Sequence, residues 1–149
     1  MGTRPPAWVR EACADYTRRL GPRLKLTLVE VEPGPRSAGQ SPRKAIEAEA
    51  RKLLTVLHPD EWVVALDERG QQMSTRELAA WLADRMREGR DLAFLIGGPD
   101  GFAAEVAARS DMSLSLSRLT LPHALARVVL TEQLYRAMTL LTHHPYHRD

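Results

Sequence analysis

Cysteine is almost missing from this sequence. Cys13 is the only one in 149 residues, so no internal disulfide can form, and no CxxC pair or Cys/His ladder of zinc spacing occurs. That points to a reducing, cytoplasmic setting, with Cys13 expected in the core face of a helix. No apolar run approaches the length of a bilayer span and the N-terminus carries no apolar stretch of the secretory kind, so a soluble protein without a membrane partner is expected. Lysine is scarce as well: Lys25, Lys44 and Lys52 are the only ones in a chain of formal net charge +2, and the other cations are arginines. Arginine suits bidentate phosphate contacts but is also favoured by GC-rich codon usage, so composition alone leaves an RNA partner open. With no Walker A loop, no GxGxxG and no carboxylate cluster, a nucleotide hydrolase is set aside.

What is present fits one compact α/β domain spanning residues 1–149, with 44% hydrophobic content. Val9, Cys13, Tyr16 and Leu20 recur at helical spacing and Gly21-Pro22 stops the run. Residues 24–32, LKLTLVEVE, alternate as a strand would, and a loop is expected over 33–40. Ser41-Pro42 is a good helix start, followed by the stripe Ile46, Ala50, Leu53 and Leu57. Residues 61–66 and 92–96 read as short, continuous apolar strands. Between them Ser74 and Glu77 form a capping box, with Leu78, Trp81, Leu82 and Met86 expected inward and Gly89 at the end. Apolar strands alternating with helices predict a parallel sheet covered on both faces. Ligands of such sheets bind where loops leave the carboxyl ends of the strands, which directs attention to residues 67–70, 97–101 and 114–123.

The segment LIGGPDGF places two glycines directly after a strand, allowing a sharp turn and close approach of a ligand; a plain strand-to-helix turn with Asp100 as N-cap fits equally well. LSLSRLTL, residues 114–121, alternates apolar and small polar residues before Pro122 opens a long helix. In that helix Leu125, Val128, Val129, Leu134, Met138 and Leu141 exceed what one small sheet face would bury, so a subunit interface is expected beside a core role. The chain closes with HHPYHRD. Its histidines invite a metal, but Pro145 breaks the helical spacing and only Asp149 is near as a carboxylate, so an RNA-binding or fraying tail is preferred and no metal is expected.

In order and spacing, VVALDERG, FLIGGPDGF, LSRLTLPHALARVVLTEQLYRA and the terminal HPYHRD resemble the RlmH family of SPOUT methyltransferases over essentially the whole chain. The resemblance implies an α/β fold whose C-terminal part forms a deep trefoil knot. It also implies a homodimer that takes S-adenosylmethionine and methylates N3 of a pseudouridine in large-subunit (23S) ribosomal RNA on the ribosome. By position it implies cofactor contacts at Leu66, Gly97, Leu116, Ser117, Arg118, Leu119, Thr120 and Leu121. Such a set makes physical sense, since apolar side chains can flank an adenine while loop amides and carbonyls read its edge. For proton acceptance or substrate positioning the candidates are His123, Tyr146, His147 and Arg148, with no single base assigned and His123 equally readable as a helix-start residue. Arg136, with Tyr146, His147 and Arg148, is the candidate RNA contact.

Family members usually carry a short apolar strand ahead of the glycine and threonine found here as Gly2-Thr3, and commonly valine where this chain has Met1. The first strand is therefore expected to be missing, through a GTG codon read as a start, and a buried neighbouring strand to lose its partner. Two other functions stand beside the ribosomal one: a SPOUT methyltransferase acting on transfer RNA, and a non-catalytic RNA- or ribosome-binding dimer.

Overall fold

The computed structural model describes residues 5–39, 41–98 and 100–147. Helix α1 spans Ala7–Leu20 and buries Val9, Cys13 and Leu20, so Cys13 is the core residue its spacing implied. Helix α2, Pro42–Val56, starts on Ser41, whose hydroxyl accepts the Arg43 N–H. Strand β1, Trp62–Gln72, leads to helix α3, Thr75–Glu88, whose capping box is complete: Ser74 Oγ accepts the Glu77 N–H and the Glu77 carboxylate accepts the Ser74 N–H at 2.6 Å. Gly89 closes α3 in the left-handed region at φ 73°. Strand β2 (Leu92–Ile96), the short helix α4 (Ala104–Arg109), strand β3 (Met112–Ser115) and the long helix α5 (His123–Leu141) follow, and a 3-10 turn at Pro145–His147 ends the described chain.

The three strands form a parallel sheet in the order β2-β1-β3, as the apolar strand pattern implied. Alternation along β2 splits the core between the two faces. Leu92, Phe94 and Ile96 pack, with Leu66, against the core of α1, α3 and α5, whose centre is Leu20, Leu82, Leu134 and Met138. Ala93 and Leu95 point the other way, with Val63, toward Ala50 of α2 and Val106 of α4. Both faces are thus covered, and α5 lies against α1 and α3 as the central support of the first.

Three expectations need correction. Residues 24–32 form no strand: the segment runs without a ladder partner among the described residues, Leu28 and Val29 stay exposed, and side-chain bonds from Arg127 to Glu30 and from Lys52 to the Glu32 carbonyl tether it. Alternation supplies a face, but a ladder needs a neighbouring backbone. An open apolar groove of about 430 Å³ lies between Leu28 and the Val9, Cys13 and Thr17 side of α1. Met86 is exposed, because the apolar stripe of α3 outlasts the partner surface beneath it. Strand β3 ends at Ser115, where Ser117 takes over: its carbonyl accepts the Ser115 hydroxyl and its own hydroxyl accepts the Leu119 N–H, a local turn that competes with the ladder. Lastly, α4 begins after Ala103 and not on Asp100, whose carboxylate is instead engaged by Arg36.

Candidate functional site

The carboxyl ends of the three strands meet at one place. Leu66 of β1 is in register with Ile96 of β2, the residue before Gly97, and with Leu114 of β3, two residues before Leu116. Beyond Leu66 the strand buckles: Leu66 and Gln71 both pair with Leu114, so residues 67–70 bulge out at this edge. Gly70 anchors the bulge, since a Cβ there would lie 2.7 Å from backbone atoms of Leu114 and Ser113. Thr120 Oγ1 donates to Glu68 Oε2 at 3.3 Å, tying the 116–121 loop to the bulge. Of the positions implied for the cofactor, Leu66, Gly97, Leu116, Ser117 and Leu121 are half-buried and Arg118, Leu119 and Thr120 are exposed; Leu119 is 74% exposed, which no packing inside the chain explains.

The glycine loop is held from two sides. Gly98 and Gly101 bridge each other and Gly101 takes φ 77°, so the loop doubles back within four residues. A Cβ on Gly97 would stand 3.2 Å from the Phe102 ring, itself packed in the second core. Arg36, from the loop after residue 33, reaches Asp100 at 3.0 Å and Glu49 of α2 at 3.4 Å, and Glu49 also accepts the Gly34 N–H. Sequence reasoning missed this strap, because its three charges are far apart in the chain and carry no motif.

His123 is the first residue of α5 and exposed, just past the 116–121 loop. The tail behaves differently. Helix α5 ends in a reversal in which His143 takes the left-handed φ of 56° and the His144 N–H returns to the Thr139 carbonyl at 2.9 Å. That is the hydrogen bond of a Schellman ending, which usually has glycine in this place. The reversal lays Tyr146 back on α5. Its ring centroid is 4.6 Å from that of Tyr135 and 5.1 Å from the Arg136 guanidinium; its hydroxyl donates to Glu132 Oε1 at 3.2 Å and lies 3.3 Å from the Tyr16 hydroxyl. Burial first, then the Tyr16 and Glu132 oxygens, push the Tyr146 phenol well above its ordinary value, so its proton is held. Arg136 is ion-paired with the same Glu132 oxygen at 2.7 Å. The structure thus joins Tyr146 to Arg136. His147 is described only through its backbone in the final turn, and Arg148 lies outside the described residues. Glu132 and Tyr16 were not foreseen, although the i, i+4 spacing of Glu132 and Arg136 was a legible signal.

The described residues contain no cluster of three or more His, Cys, Asp or Glu able to hold a metal, and no helix among them is long and apolar enough to cross a membrane. The apolar side chains and open backbone at the strand ends suit a flat apolar base with polar edges. A parallel α/β sheet gathering such loops at its carboxyl edge defines a ligand-binding α/β protein, and residues 1–147 match the family model described as predicted SPOUT methyltransferase, to which this chain belongs. Relatives called ribosomal RNA large subunit methyltransferase H include one from Thiobacillus denitrificans, 50% identical over 149 residues, covering 100% of this chain and 96% of its own. A Stenotrophomonas maltophilia relative of the same name is 49% identical over 147 residues, covering 99% of this chain and 94% of its own. One from Bordetella pertussis is 48% identical over 148 residues, with 99% and 95% covered.

Proposed function

We propose that this protein is a cytoplasmic, homodimeric methyltransferase that uses S-adenosylmethionine to methylate N3 of a pseudouridine in large-subunit ribosomal RNA, acting on the assembled ribosome. The observation that carries this reading is the convergence of Leu66, Gly97 and the 116–121 loop at the ends of three parallel strands, in a chain about half identical to large-subunit methyltransferases along its length. Leu66, Leu116, Leu119 and Leu121 would flank the adenine, Gly97 would let the loop backbone come close, and the amides and carbonyls of residues 117–120 would read polar edges. When bound, the cofactor supplies a methyl group already activated by its sulfonium. The protein's own work is then to hold the RNA in line with that methyl and keep water out.

Pseudouridine N3 must lose a proton during transfer. His123, exposed at the start of α5, is a candidate to receive it, and Tyr146, whose raised phenol keeps its proton, suits a positioning role better than a base's. Homodimer formation accounts for α5: Leu125, Val128 and Val129 are only half-buried, and Leu141 is 36% exposed. In such a dimer the tail of one chain reaches the strand ends of the other. The C-terminal trefoil knot belongs to the same proposal. So do the RNA contacts at Arg136, Tyr146, His147 and Arg148.

The test is transfer of labelled methyl from S-adenosylmethionine to ribosomes from a strain lacking the endogenous activity, with the product mapped by nuclease digestion and mass spectrometry. Methylation at a large-subunit pseudouridine is expected. No product despite measured cofactor binding would end the ribosomal assignment and turn the search to transfer RNA.

A further inference from the structure

One carboxylate organises the end of the chain. Glu132, with its side chain only 16% exposed, accepts from Arg136 through Nε at 2.8 Å and Nη2 at 2.7 Å, from the Tyr146 hydroxyl at 3.2 Å and from Gln133 Nε2 at 2.7 Å. An exposed i, i+4 ion pair on a helix contributes little to stability, and Glu132 does more than make one. It joins two groups that the proposed reaction needs together, the Arg136 cation and the Tyr146 ring. Tyr16 of α1 closes the ring of contacts from a third element, stacking on Tyr135 at 5.9 Å and meeting the Tyr146 hydroxyl.

A second, independent feature points the same way. The chain reaches Tyr146 only by way of His143, whose left-handed backbone is unfavourable for a residue with a Cβ. A reversal through such a residue persists when contacts beyond it hold the chain, and the aromatic stack with the Glu132 bond are those contacts. Were Tyr146 merely filling the core, its ring would suffice; the bonds of its hydroxyl to Glu132 and Tyr16 fix the tip of the ring as well and so pin the final turn on α5.

We propose that Glu132 is a positioning residue, which with Tyr16 locks the Tyr146 turn on α5 and so holds the Tyr146 ring and Arg136 in place for the RNA substrate. This rests on the methyltransferase reading above. A latch of this kind acts on substrate engagement and leaves the cofactor loops untouched.

The experiment compares Glu132→Gln, Glu132→Ala, Tyr146→Phe and Tyr16→Phe with the parent protein, using ribosomes and labelled S-adenosylmethionine. Glu132→Ala and Tyr146→Phe are expected to raise KM for ribosomes tenfold or more, with the calorimetric Kd for S-adenosylmethionine within twofold of the parent. Glu132→Gln, which keeps an oxygen for Tyr146, should recover part of the loss. The double variant Glu132→Ala/Tyr146→Phe should be no worse than the worse single change, because both break one device. Multiplying losses in the double variant, or an unchanged KM in Glu132→Ala, would overturn the proposal. A readout independent of turnover separates it from the function it rests on. With 3-fluorotyrosine incorporated, the fluorine resonance that Tyr146→Phe removes should shift and sharpen in Glu132→Ala while the fold stays intact by circular dichroism. If that resonance does not move, the latch is refuted even where methylation is seen; if it moves but the parent methylates no ribosome, the latch stands and the ribosomal function falls.

Discussion

Around Gly97 and the 116–121 loop the shape is set by main chain, through the Gly98–Gly101 bridge, the Ser117 turn and the strand register that sets Leu66 beside Ile96 and Leu114, with the Thr120–Glu68 bond and the Arg36 strap added at the rim. Around Tyr146 the reverse holds. Arg136 of α5 and Tyr146 of the final turn meet at the Glu132 carboxylate, and Tyr16 of α1 meets the Tyr146 hydroxyl. A site for a ligand with apolar and amide-like edges can be shaped by main chain, whose geometry the sheet fixes cheaply. A tail leaving the end of a helix has no sheet to hold it, so side chains must.

The comparison predicts which changes damage both ends and which only one. Leu134 is 1% exposed in the core that α5 shares with Leu66, Leu116 and Tyr146, so Leu134→Ala should strike both. A loss of about 2–5 kcal/mol by chemical denaturation is expected, as for a buried leucine whose surroundings collapse only in part. A loss below about 1 kcal/mol would show that α5 is not the common support. Gly70→Ala should damage the strand-end loops alone, because the new methyl would sit 2.7 Å from the β3 backbone. We expect about 1–3 kcal/mol of destabilisation, typical of overpacking. S-adenosylmethionine binding should weaken at least tenfold by calorimetry, with the Tyr146 fluorine resonance unmoved; movement of that resonance would mean the two ends are not built separately.

The two ends were also unequally legible in the sequence. Helices α1, α2, α3 and α5 and strands β1 and β2 could be read because their signals are local: apolar spacing, the Ser41-Pro42 start, the Ser74–Glu77 box, Gly89. The strand-end loops followed once a parallel sheet was inferred, since topology decides where such loops gather. Residues 24–32 carried an equally clear alternation and form no strand, because pairing depends on a partner that a segment's own residues do not encode. Nor could spacing reveal that Arg36, Glu49 and Asp100 meet, or that Tyr16 lies 3.3 Å from Tyr146 across 130 residues. The family resemblance supplied the cofactor positions, but the Glu132 latch emerges only when the tail is seen folded back on α5.

Two smaller effects bear on the tail end alone. His143→Gly should raise stability by about 1 kcal/mol in denaturant titrations, since glycine adopts the left-handed φ of 56° without a Cβ penalty. The same change should leave S-adenosylmethionine binding as it was; a loss of stability instead would mean that the His143 side chain contributes more than its backbone costs.

The smallest effect is a pH dependence. Folding raises the Tyr146 phenol above its ordinary value of 10.0, so the folded chain binds this proton more tightly than the unfolded one. Stability from this source is therefore fully present below that ordinary value and is lost progressively as pH rises through it toward the folded value. The difference in unfolding free energy between the parent and Tyr146→Phe isolates the group from every other titration. It should be constant from about pH 7 to pH 9 and then shift against the parent above about pH 10, where only the unfolded tyrosine ionises. A difference that stayed flat to about pH 11 would mean that Tyr146 titrates alike in both states. In that case the Glu132 and Tyr16 oxygens do not grip its proton, and the side-chain half of the comparison would lose its central bond.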